Sequence, residues 1–134
     1  MSVDENAFLD TNVLLYLLSA DTRKAETAES VLETGGVINI QVLNEFVNVC
    51  QRKLRMDWSD IRSTLSVIRA VCTIEPLTES VHDLGTNVCE RYKLSVYDSM
   101  IVAAALEAGC TRLLSEDMHT GLHVEGQLKI ENPF

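Results

Sequence analysis

Apolar positions along the chain fall into two kinds of run. Short apolar stretches end at an acid, a glycine or a proline, and longer stretches repeat apolar residues at helical spacing. Ala7, Phe8 and Leu9 lead into Asp10 as a first strand, and 12–18 continues as a helix after a tight turn. Asp21 and Thr22 supply an N-cap for a second helix with Ala25, Ala28, Val31 and Leu32 on one face. Gly35 and Gly36 stop it, and 37–40 reads as a second strand. From 42 to 55, Val42, Leu43, Phe46, Val47, Val49, Cys50 and Leu54 recur at helical spacing, and after a break at Asp57-Trp58-Ser59 the pattern resumes to Cys72. Thr73, Ile74 and Glu75 form a short strand that Pro76 ends. Thr78 or Ser80 caps a helix to about Tyr92, and 96–108 is apolar on nearly every face, as expected of a buried helix. After Gly109, Arg112 to Ser115 forms a strand ending at Glu116 and Asp117, with Lys129 and Ile130 as a last, edge strand. Strands separated by helices, without a hairpin signature, predict an α/β fold whose parallel sheet is covered on both faces.

The chain has 134 residues, 46% of them hydrophobic and 23% charged, which suits one compact domain over 1–134. No repeat or Pro- and Ser-rich linker divides it. Polar residues interrupt every apolar run before membrane-spanning length, and no leader pattern opens the sequence, so a soluble, cytoplasmic protein without a membrane partner is expected. Cys50, Cys72, Cys89 and Cys110 are irregularly spaced among apolar neighbours, without a close pair. Packed, reduced thiols fit that spacing and a zinc site does not.

The net charge of −9 works against gripping nucleic acid through a broad basic surface. It directs attention to where the acids fall. In open parallel sheets, ligands bind beyond the carboxyl ends of the strands. Asp10 closes the first strand and Asp117 follows a late one, while Glu45 and Asp98 stand near the starts of helices. Taken singly, each is a turn residue or a helix acid. Gathered at one edge, they would repel one another until a cation or a proton intervened. Carboxylate oxygens suit Mg²⁺ or Mn²⁺, and Mg²⁺ keeps most of its waters, so Asp10 and Asp98 are the expected direct metal ligands, with Glu45 and Asp117 acting through water. Such an ion suits phosphodiester hydrolysis. Asn12 is placed to orient a bound water or Asp10, and Ser115 to hydrogen-bond a phosphate or Asp117, while Glu116 is expected to face solvent.

Other features carry less. Arg52, Lys53 and Arg55 form the densest basic cluster, read either as a phosphate contact or, more simply, as cations at a helix C-terminus. His119 and His123 lack the glutamate of a zinc-protease helix. Trp58, Tyr16 and Tyr92 read as packing residues, as do Met100 and Met118. A phosphate-accepting receiver domain needs an acidic pair after the first strand and a lysine beyond a late one, whereas the chain has Asp10-Thr11-Asn12 and Ser115-Glu116-Asp117. A haloacid-type phosphatase needs a second aspartate where Asn12 stands. A silent acidic pocket that docks a basic peptide is the remaining rival.

The stretches Phe8-Leu9-Asp10-Thr11-Asn12-Val13-Leu14-Leu15, Asn44-Glu45-Phe46, Val96-Tyr97-Asp98-Ser99-Met100-Ile101-Val102-Ala103-Ala104-Ala105 and Leu113-Leu114-Ser115-Glu116-Asp117-Met118 resemble, in order, the motifs of PIN-domain nucleases. The small size and the ending Ile130-Glu131-Asn132-Pro133-Phe134 are most similar to VapC-type toxins of toxin–antitoxin pairs. The resemblance implies a three-layer α/β/α sandwich around a parallel sheet of four to five strands. It implies an Mg²⁺- or Mn²⁺-dependent endoribonuclease, commonly a homodimer, inhibited by an antitoxin whose basic or arginine-bearing tail covers the acidic site. A PIN-domain RNA-processing nuclease outside a toxin pair is the alternative within the family. Asp10, Glu45, Asp98 and Asp117 match its acidic positions, and Asn12 and Ser115 their usual polar neighbours.

Overall fold

Parallel strands demand crossover helices, and the computed structural model, which describes residues 7–134, builds the chain that way. The expected single domain over 1–134 includes 1–6, which lie outside the described residues. Strand β1 (Ala7–Leu9) leads through helix α1 (Thr11–Leu15), a 3₁₀ turn (Tyr16–Leu18) and α2 (Thr22–Glu33) to β2 (Gly36–Asn39). Helices α3 (Ile40–Arg52) and α4 (Trp58–Val71) then lead to β3 (Cys72–Glu75). Helices α5 (Glu79–Tyr92) and α6 (Val96–Glu107) precede β4 (Arg112–Leu114), and β5 (His123–Val124) and β6 (Leu128–Glu131) end the fold.

The strand order is β3-β2-β1-β4-β6-β5, parallel throughout except for the β5–β6 pair. Helix α3 packs on α1 and α4, α4 also meets α2, and α5 packs on α6, giving the expected three-layer α/β/α arrangement. From β1 the chain first builds outward to β2 and β3, then returns to the other side of β1 with β4. The reversal leaves a crevice between the carboxyl ends of β1 and β4, the position where such sheets bind ligands.

The expected caps form. Asp21 accepts hydrogen bonds from the backbone N–H groups of Arg23 and Lys24, and Thr78 accepts one from Val81. Gly35, at φ +80°, turns the chain out of α2 into β2. Ile40, expected as strand, opens α3 because Asn39 caps that helix, its side chain accepting from the Val42 N–H.

The expected edge strand is corrected too. Lys129 and Ile130 belong to an interior strand, β6, and the edge is β5, a two-residue antiparallel strand missing from the sequence reading. The hairpin turns through Glu125 and Gly126, both at positive φ, with the Gln127 N–H bonded to the Val124 carbonyl at 3.1 Å. A strand of two residues is too short for alternation to register.

Phe8, Leu9, Ile38, Phe46, Ile61, Ile68, Leu113 and Ile130 are fully buried in the core. Cys50, Cys72 and Cys110 are buried, Cys89 is half-buried, and all are unbridged, as the spacing predicted. Burial pushes the Cys72 and Cys110 thiols up to about 11, which keeps them protonated and unreactive. Among the described residues, no helix is long and apolar enough to cross a membrane.

The α5–α6 contact is unusually close at Gly85. A Cβ there would stand 2.4 Å from Met100 Sδ and 3.4 Å from Met100 Cα. Gly85→Ala is therefore expected to lower the chemical-denaturation midpoint, although alanine alone favours a helix by about 1 kcal/mol. In a Met100→Ala background the same change becomes neutral or stabilising. Equal effects of Gly85→Ala in both backgrounds would show that the contact does not limit the packing.

Candidate active site

Asp10 is the residue after β1, and register decides what lies beside it. Leu9 pairs with Leu114, and the Asp10 N–H continues the ladder to the Leu114 carbonyl at 3.0 Å, so Asp10 and Ser115 leave neighbouring strands side by side. Asp10 also caps α1: its Oδ1 accepts from the Thr11 N–H at 2.8 Å. Its Oδ2 accepts from Ser115 Oγ at 2.8 Å. The side chain is held at both oxygens while Asp10 remains only 8% exposed.

The other acids arrive from separate elements. Glu45 lies in the second turn of α3, which starts from the carboxyl end of β2. Its Oε2 accepts from Thr11 Oγ1 at 2.7 Å and its Oε1 from Gln41 Nε2 at 3.2 Å. Asp98 stands in the first turn of α6, where Ser95 caps the helix by accepting from the Asp98 N–H at 3.2 Å. A carboxylate there is favoured by the helix dipole. Asp117 lies on the exposed loop after β4, and Asn12 Nδ2 donates to its Oδ2 at 3.1 Å.

All four acids line one cavity of about 300 Å³ together with Thr11, Asn12, Leu15, Asn48 and Val49. A larger cavity of about 530 Å³ between α2 and α4 is mainly apolar, and its only acids, Glu29 and Glu33, come from one helix. Convergence of acids from four segments distinguishes the smaller one.

Electrostatics follow from the placement. Burial pushes the Asp10 carboxyl from its ordinary 3.8 to about 6; the bonds from Ser115 and Thr11 oppose the rise, and the charges of Glu45 and Asp98 add to it. Asp98 is raised as well, first by burial and then by Asp117 and Glu45, against the bond at Ser95. The donor set is all carboxylate oxygen, the chemistry of a hard divalent ion. Among the described residues, no three His, Cys, Asp or Glu side chains stand grouped so as to hold a metal ion by themselves. An open set of this kind suits an ion that retains most of its waters.

The polar neighbours behave less simply than their spacing suggested. Asn12 bridges the two sides of the crevice: its Nδ2 donates to Asp117 and, at 3.4 Å, reaches Asp10 Oδ2, while its Oδ1 accepts from the Glu116 N–H at 3.1 Å. Ser115 is fully buried. Its hydroxyl donates to Asp10 and accepts from the Asp117 and Met118 N–H groups at 3.2 and 3.3 Å, folding the loop that carries Asp117. Glu116, expected to face solvent, accepts from Tyr16 Oη and from Lys24 Nζ, the latter at 3.0 Å.

Thr11, Gln41, Asn48 and Val49 were missed. Helical spacing from Glu45 offered the signal, since Gln41, Asn48 and Val49 lie one turn away on either side of it.

A family model described as PIN domain matches residues 7–119. No curated protein matches the sequence. Among solved structures, a toxin–antitoxin complex from Klebsiella pneumoniae is 21% identical with a TM-score of 0.72, covering 96% of this chain and 98% of that one. VapC20 from Mycobacterium tuberculosis, described as a sarcin-ricin loop cleaving toxin, is 18% identical with a TM-score of 0.66, covering 83% and 91%. VapBC2 from Rickettsia felis, solved bound to a DNA fragment from its promoter, is 17% identical with a TM-score of 0.67, covering 94% and 97%.

Asp10 has a higher pKa folded than unfolded. Its contribution to stability is therefore complete below 3.8 and lost as pH rises through about 6. In chelator-containing buffer, Asp10→Asn is expected to be more stable than the wild type at pH 8 by up to about 3 kcal/mol, the gap closing below pH 4. Thermal unfolding across that range measures it. An Asp10→Asn protein no more stable than the wild type at pH 8 would refute the strained carboxylate.

Proposed function

The chain belongs to the PIN domain family, and from that membership we propose that it is a metal-dependent endoribonuclease acting as the toxin of a bacterial toxin–antitoxin pair. The observation that carries the reading is the convergence of Asp10, Glu45, Asp98 and Asp117 on one cavity at the sheet's switch point. The toxin–antitoxin context of the structural relatives supports the biological role. The proposed unit is a single nuclease domain over 1–134, working as a homodimer.

Asp10 and Asp98 would hold Mg²⁺ or Mn²⁺ directly. When bound, the ion supplies an acidified water and charge stabilisation for phosphodiester hydrolysis. The chain's own residues do the rest. Ser115 and the Thr11 N–H fix the Asp10 carboxylate, so little reorganisation remains when the site fills. Glu45, held by Thr11 and Gln41, faces the cavity as a candidate proton acceptor for the attacking water. Asn12 ties Asp117 to the Asp10 side of the crevice.

The same surface accounts for the proposed partner. An antitoxin tail bearing arginine would neutralise the carboxylates as the cation does, and a bidentate guanidinium matches a carboxylate pair. Occupation by that tail and by RNA would be mutually exclusive.

The purified chain is expected to cleave RNA only with Mg²⁺ or Mn²⁺ present, and Asp98→Asn to lower the rate roughly a hundredfold or more at unchanged folding. Absence of metal-stimulated cleavage, with no divalent binding by calorimetry, excludes the nuclease and leaves a peptide-docking module. Expression of the wild type alone is expected to arrest growth, and Asp10→Ala to relieve the arrest. Normal growth with abundant soluble wild-type protein excludes the toxin role while leaving the nuclease standing.

A further inference from the structure

An acidic cavity in a chain of net charge −9 repels the phosphates on either side of the one it cuts. Some cation must hold the strand beside the acids. Helix α3 points to its place. Its buried face is Val42, Leu43, Phe46 and Cys50, and its other side carries a polar ridge of Gln41, Glu45, Asn48 and Arg52. Residues seven apart on a helix differ by about 20° in direction. Arg52 therefore stands over nearly the same line as Glu45, about 10 Å further along the axis.

The cavity extends toward that end of the helix. Its lining from α3 is Glu45, Asn48 and Val49, while Gln41, one turn the other way, is absent from it. Asn48 is exposed at the outer lip and Arg52 is exposed one turn beyond. Among the described residues, the Arg52 guanidinium makes no ion pair, a state it shares with Lys53 and Arg55 beside it, so it is its place in line with Glu45 that singles it out. A cation in the last turn also offsets the negative helix end, which accounts for its charge but not for its place on the line of Glu45.

The structure assigns Asn48 and Arg52 as the clamp for an RNA backbone phosphate flanking the scissile one. The assignment rests on the ribonuclease reading above. Asn48 offers an amide donor at the lip, and Arg52 a planar, bidentate donor to the next phosphate oxygens. Contacts of this kind position the strand without reading its bases.

The test uses the full chain. In steady-state cleavage of an RNA that the wild type cuts, Arg52→Gln is expected to raise KM roughly tenfold with kcat and Mn²⁺ affinity retained, and Arg52→Lys to recover much of the loss. Binding of a short, mixed-sequence single-stranded RNA is then followed by fluorescence anisotropy in an Asp98→Asn background. There Arg52→Gln is expected to reduce the slope of log affinity against log salt by about 0.7, the value for one phosphate contact. Arg69→Gln, an exposed cation on α4, serves as the control and should leave the slope unchanged. If the wild type cuts RNA but Arg52→Gln matches it in KM and salt slope, or matches Arg69→Gln, the clamp is wrong and the nuclease stands. If the wild type neither binds nor cuts RNA, both readings fall.

Discussion

A carboxylate held almost out of water at the end of a central strand is the constraint around which this molecule is arranged. Asp10 keeps its position because each oxygen has a donor, the Thr11 N–H at the start of α1 and the Ser115 hydroxyl from the adjacent strand. Those bonds favour its charge; burial and the neighbouring acids oppose it more strongly. The balance leaves a group that is incomplete without a positive partner. Glu45, Asp98 and Asn12 are each positioned by a cap or a bond that leads back to the same crevice.

The scaffold makes that geometry rigid from several directions. The β1–β4 pairing places Asp10 beside Ser115, and Ser115 is bonded through its own N–H to the Glu131 carbonyl of β6, so the site's floor spans three adjacent strands. Helix α6, buried along most of its length, delivers Asp98 from the opposite side, and its close seating on α5 depends on the missing side chain at Gly85. The Asp117 loop is fixed by side chains rather than by the sheet. It is held by Ser115 within and by the Tyr16–Glu116–Lys24 contacts without.

Charge organises the surroundings of the site. On the proposed ribonuclease reading, a chain this acidic would not hold RNA by attraction spread over its surface, so the burden would fall on the cation and on a few directed groups. Arginine at the outer end of the α3 ridge is such a group, since it lies in line with Glu45 rather than merely near it. On the proposed reading, the acidity that hinders RNA would also make the cavity a receptor for guanidinium groups. Substrate and inhibitor would then compete for the same carboxylates by different chemistry.

The order of strands and helices apart from β5, the mostly parallel character of the sheet and the candidacy of the four acids were legible in the sequence, because period and capping are local properties and the motifs span short segments. Their places at strand and helix ends made Asp10, Glu45, Asp98 and Asp117 candidates, and it was the resemblance to PIN-type motifs that singled them out. What only the tertiary structure decided were relations between segments distant along the chain. Ser115 is a donor to Asp10 because the β1–β4 register sets the two side by side; Glu116 is tied to Tyr16 and Lys24 because the 3₁₀ turn and α2 pass beside its loop; β6 is interior because two residues of β5 cover its edge. Local pattern specifies which residues can do chemistry. Strand register and helix packing determine which of them meet, since those contacts are set by the burial of the whole core and leave no mark in any single window of sequence.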